Sequence, residues 1–253
     1  MSLVWHQLRY DQRVFWRNPA AVFFTVAFPV VLLLIFATVF GDQTIDVAGG
    51  IEITTYYVPA IITLATVSAT MQTLAMSLVI AREDGRLKRG RGTPMPPWVF
   101  IAGRIGNSVV VAVLMLALVA ALGRILYGVP IPWERAPELL LVLVVGAASF
   151  CCLGIALTAA IPSQDAAAPI VNVILLPLYF LSGVFIPEDE LPQGVIDFAD
   201  RFPIRPFFQS FFDAYVSGAG STVGWDHLAV VALWGVGGLA LAVRFFRWVP
   251  RGG

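Results

Sequence analysis

Long uncharged runs alternate with short polar intervals along this chain. Ala20–Phe40 holds 21 residues without a charge. At about 1.5 Å of rise per residue such a run is roughly 31 Å long, the thickness of a bilayer's hydrocarbon core. Comparable runs place spans at about 20–40, 56–81, 99–122, 139–161, 166–186 and 226–246, the last beside Trp225 and Trp248 as interface anchors. None alternates in the manner of barrel strands, so the pattern predicts an all-α polytopic membrane protein with six transmembrane helices. Ahead of them, residues 1–19 are amphipathic: Leu8, Val14 and Phe15 interleave with Arg9, Asp11, Gln12 and Arg13. This reads as an interfacial helix ended by Asn18-Pro19, or more plainly as a basic flank that helps the first span insert. Between the fifth and sixth spans the segment 187–224 is too long for a simple turn. In it, Phe207, Phe208, Phe211, Phe212 and Tyr215 recur at helical spacing. Two short helices are expected there, at about 188–201 and 206–217, re-entering the outer leaflet or packing on the span ends.

Composition agrees. The 253 residues are 58% hydrophobic and 13% charged, with a mean hydropathy of +0.83, whereas about a quarter of a soluble domain is charged. Net charge is zero, so nothing points to a nucleic-acid partner. Twelve of the sixteen lysines and arginines fall on the side of the termini and of residues 82–98, and four on the other. The positive-inside rule makes that richer side, with both termini, cytoplasmic. The first run is too long for a signal-peptide core, so no cleaved leader is expected.

Several chemistries are excluded. Lys88 is the only lysine and follows Leu87, so the chain has no G-x-x-x-x-G-K-[ST] phosphate loop of its own. His6 and His227 lie far apart and no H-E-x-x-H occurs, so no metal site is expected. The adjacent Cys151 and Cys152 read as small buried residues. No acidic residue lies within any span core, which removes the usual means of proton or sodium coupling. Active transport by such a chain would draw its energy from elsewhere.

Polar positions inside the spans are few. Thr63, Thr66, Thr70, Thr73 and Ser77 form one stripe on the second span. Hydroxyls bond back to their own helix, so the stripe fits helix packing as well as a wetted pathway. On the fifth span Asn172, Tyr179 and Ser182 share roughly one face, and Pro169 and Pro177 predict kinks.

The loop between the second and third spans reads REDGRLKRGRGTPMPPW. Glu83, Gly85, Leu87 and the pair Thr93-Pro94 resemble the first cytoplasmic loop of ABC-2 type permeases, the membrane subunits of type-2 ATP-binding-cassette exporters. LSGVFIP at Leu181–Pro187 and the proline-rich ELPQGVIDFADRFPIRPF are also similar to that family's patterns. The chain departs from the pattern at Gly90 and Gly92, where the family more often has helix formers.

The resemblance implies one permease domain over 1–253, in a bacterial inner membrane, without enzymatic activity of its own. Residues 82–98 would be the coupling loop. Glu83, Gly85, Arg86, Leu87, Thr93 and Pro94 would dock on a separate ABC ATPase, present as two copies, with Leu87 inserting in an apolar pocket. MgATP would be bound only by that partner, and this chain would carry no cofactor. A second permease subunit, identical or a sister chain, would complete a pathway including the threonine stripe, Asn172 and Tyr179. Ser182, Gly183 and Pro187, with Phe207 and Phe211, would form its outer gate. Cargo would be hydrophobic or amphipathic, a drug, a lipid or a lipid-linked molecule, and the small loops look most like the antibiotic- and drug-resistance branch. A passive channel or scaffold subunit working without ATP is the alternative. An intramembrane enzyme would need a polar catalytic pair, which the spans do not offer.

Overall fold

The computed structural model describes residues 3–41, 43–45, 50–87, 97–216 and 224–246. Among the described residues, six helices are long and apolar enough to cross a bilayer: Pro19–Phe40, Ile53–Glu83, Trp98–Tyr127, Trp133–Leu157, Gln164–Leu181 and Trp225–Phe245. The protein is a multi-pass membrane protein, all-α apart from a two-residue hairpin in which Thr44–Ile45 pairs antiparallel with Ile51–Glu52.

Local chemistry explains the helix starts. Asn18 accepts a hydrogen bond from the Ala21 amide at 3.2 Å, and Pro19 takes the first helical position, where a missing N–H costs nothing. Ser163 caps the fifth span by accepting from the Ala166 amide. Two spans contain π-helical turns, Phe23–Ala27 in the first and Ser68–Gln72 at the midpoint of the second. The two spans meet near these turns, where the hydroxyls of Thr25 and Thr73 lie 3.0 Å apart.

The second span is the pillar of the bundle. Of its most apolar stretch 72% is buried, against 22% for the first and fifth spans and 28% for the sixth. The first, third and fourth spans pack around it. The fourth and sixth spans form a close seam, because Gly235 faces Ser149 and Gly238 faces the Leu153 backbone. A Cβ at Gly238 would stand 2.9 Å from the Leu153 nitrogen. Between helices already surrounded by lipid, such close approach supplies the van der Waals contact that holds them together.

The N-terminal helix Leu3–Trp16 packs on the third span. Gly103 lies beneath Gln7, and Asp11 is 5% exposed, paired with Arg104 at 3.7 Å. At the opposite side, Glu188–Glu190, Gln193–Ala199 and Ile204–Val216 are short helical segments. The last is buried almost all round, with Phe207, Phe208 and Phe211 at no more than 1% exposure. It wedges between the second, fourth and sixth spans rather than lying on them.

Candidate functional site

A groove of about 200 Å³ opens between the first, second and fifth spans. Its walls are apolar, chiefly Phe24, Phe28, Leu176 and Phe185. Its polar floor comes from Ser68 and Gln72 of the central π turn and from Asn172 and Tyr179 of the fifth span. Gln72 donates to the Asn172 carbonyl oxygen at 3.2 Å, and Ser68 donates to Gln72 at 3.4 Å. The Tyr179 residue is 4% exposed, yet its hydroxyl has no hydrogen-bond partner among the described residues. Asn172 is exposed on a face otherwise made of Phe24, Val173, Leu176 and Phe180. An exposed amide is costly in hydrocarbon, so water or a protein partner against this face would favour Asn172 over lipid.

The threonine stripe lies elsewhere. Thr63, Thr66 and Thr70 are fully buried inside the chain, and Thr66 and Thr70 donate to the carbonyls of Ile62 and Thr66 one turn back. Thr73 and Ser77 are half-buried and face a separate cavity of about 80 Å³, shared with Asp11 and Asn107 under the N-terminal helix. In the single chain these three threonines face its interior. The groove-facing polar residues of this span are Ser68 and Gln72.

On the far side, Ser182 and Gly183 are buried where the fifth span ends. Gly183 takes φ +86°, a left-handed turn that favours glycine, and its carbonyl accepts a hydrogen bond from the Tyr56 hydroxyl. Pro187 is buried next to the acidic turn Glu188–Glu190. Arg205, only 4% exposed, holds this end together: it donates to Asp200 at 2.8 Å and to Glu188 at 2.9 Å. Phe208, not Phe207, packs on the Gly183 turn and on Tyr56. Phe207 and Phe211 face inward, Phe207 against Phe150 and Gly146.

At the start of the 82–98 loop, Gly85 turns the chain at φ +68°, its amide donating to the Arg82 carbonyl. Glu83 is a quarter exposed and accepts from Arg82 Nε at 3.3 Å. Arg86 pairs with Asp84 at 2.6 Å, both about half exposed. Leu87, expected to insert in a partner's pocket, is 1% exposed in the single chain. Thr93 and Pro94, with Gly90 and Gly92, lie outside the described residues.

A family model described as "ABC-2 type transporter" matches residues 2–216. The chain belongs to the ABC-2 type transporter family. It is 24% identical, over 173 residues, to the "Probable multidrug ABC transporter permease YbhR" of Escherichia coli (strain K12), covering 68% of this chain and 47% of that protein. The same-named protein of Escherichia coli O157:H7 matches to the same extent. The chain spans about half the length of the curated relatives it matches.

In this ABC-2 family chain, several residues at the sites escaped sequence reasoning. Gln72 stands one residue before the stripe's Thr73, and a regular helix would turn it to another face. Arg205 sits in a segment read for its phenylalanines, and its acidic partners lie 5 and 17 residues away. Tyr56 stands at the start of the second apolar run, and its hydroxyl reaches a carbonyl 127 residues on. Only the tertiary fold joins them.

Proposed function

We propose that this chain is the membrane-spanning permease of an ATP-driven exporter, powered by a separate ABC ATPase that supplies two copies and binds MgATP. The observation that carries the reading is the Gln72–Asn172 amide pair at mid-membrane, in a groove on an otherwise apolar face. A second permease copy, identical or a sister chain, covers this face and closes the groove into a pathway. Asn172, Tyr179, Gln72 and Ser68 line it, and Ser182, Gly183 and Pro187, with the buried aromatics of Ile204–Val216, form its outer gate. The lining contains no charged side chain, which suits a hydrophobic or amphipathic cargo. The name of the YbhR relatives supports a drug-like cargo, and resistance to antibiotics would follow from its export. The richer share of lysine and arginine supports cytoplasmic termini in a bacterial inner membrane. Glu83, Gly85 and Arg86, with Thr93 and Pro94, would then meet the ATPase.

Purified alone, the chain should hydrolyse no ATP. Co-expressed with candidate ATPases and reconstituted, the complex should hydrolyse ATP faster when a transported lipophilic compound is added. Robust hydrolysis by the pure chain, or failure of every ATPase to associate with it, would sink the assignment.

A further inference from the structure

We propose that Arg82 is a positioning residue that carries movement of the 82–98 loop to the base of the fifth span. The inference rests on the reading that a separate ATPase acts on that loop.

Arg82 ends the second span with its side chain turned inward, 2% exposed. Its guanidinium is spread over the end of a different helix. Nη1 donates to the Thr158 carbonyl at 3.0 Å, and Nη2 to the Ile161 carbonyl at 2.8 Å and the Pro162 carbonyl at 3.4 Å. These carbonyls close the fourth span and the short link to the fifth. The last carbonyls of a helix have no partner within it and carry the negative end of its dipole, so a buried cation with several donors satisfies both needs. Pro162 cannot continue the helix, and Ser163 starts the next one. The guanidinium therefore grips the joint between the fourth and fifth spans.

The same residue is fastened to the loop. Its carbonyl accepts from the Gly85 amide at 3.1 Å, closing the turn that begins the loop, and Nε donates to Glu83 at 3.3 Å. One residue thus bonds to the loop on one side and to the joint on the other. From that joint the fifth span runs to Asn172 and Tyr179 in the groove. Within the chain the second span is 72% buried over its most apolar stretch and the fifth 22%, so fewer contacts of this chain hold the fifth in place. Arg82 links the two without a covalent connection. A lysine keeps the charge but not the fork, and cannot hold three carbonyls in this geometry.

The test uses the permease co-purified with its ATPase in nanodiscs, followed by hydrogen exchange with and without ATP plus vanadate. In the wild type, trapping should change exchange both in residues 73–87 and in residues 164–172. In Arg82→Lys and Arg82→Met the first response should persist and the second should be lost, with ATPase co-purification unchanged. A fifth-span response retained in Arg82→Lys would show that the fork is not the link, and would overturn the proposal even if the joint itself exchanges faster. Arg82→Lys keeps the test open should Arg82→Met fail to fold. No nucleotide response anywhere in the wild-type permease would instead refute ATP coupling, and the inference with it.

Discussion

Arginines 82 and 205 are buried near opposite ends of the bundle, and their charges are balanced differently. Arg82 lies mainly on backbone carbonyls, whereas Arg205 lies between the carboxylates of Glu188 and Asp200. Removing a buried cation from such a pair usually costs about 3–5 kcal/mol. Here the two carboxylates are more than a third exposed and regain water, so Arg205→Met should cost about 1–3 kcal/mol. Thermal unfolding in detergent would measure it, and an unchanged midpoint would mean that the cluster contributes nothing. Asp11 offers a test by pH. Burial raises its carboxyl above the ordinary value of 3.8, against the opposing pull of Arg104 and a hydrogen bond from Gln7. The docked N-terminal helix therefore holds the proton more tightly than the undocked one. Its docking weakens as pH rises through the window that opens at 3.8 and is strongest below it. Fluorescence of Trp5 and Trp16 should report this slope, and Asp11→Asn should flatten it.

At the scale of helices, most of the architecture was legible. Uncharged runs of bilayer length leave little choice of element, and Asn18-Pro19 marks a helix start through local chemistry alone. What the pattern did not carry was rotation. A stripe of hydroxyls at regular helical spacing marks a face but not what meets it, and the π turn at Ser68–Gln72 changes the phase of the second span partway along. Gln72 is thereby brought to Asn172, while Thr66 and Thr70 stay inside. The turn is matched by Gly154 of the fourth span, where a Cβ would stand 2.8 Å from the Met71 carbonyl oxygen. Gly154→Ala should force the fourth span away from this turn at a cost of about 1–3 kcal/mol. Loss of detergent stability without loss of membrane insertion is the expected result. A neutral effect would mean that the seam is loose.

Across the whole molecule, burial within the chain is uneven. The second span is enclosed, yet the first and fifth leave large apolar side chains and one polar groove on a common side. If a second copy covers that side and water fills the groove, neighbouring positions on the fifth span must differ in reactivity. In a background with Cys151 and Cys152 replaced by alanine, Asn172→Cys should react with a water-soluble thiol reagent in the reconstituted complex. Val173→Cys, 73% exposed in the single chain but one residue around the helix, should stay inert in lipid. Thr66→Cys, buried within the chain, should stay inert in every nucleotide state. Reaction at Thr66 with none at Asn172 would move the pathway to the threonine stripe. Equal reaction at Asn172 and Val173 would mean that the face is simply exposed to water, with no partner copy shielding it. Reaction confined to Asn172 leaves one arrangement, a narrow wet groove beside an apolar contact, because a thiolate forms only where water reaches the sulfur.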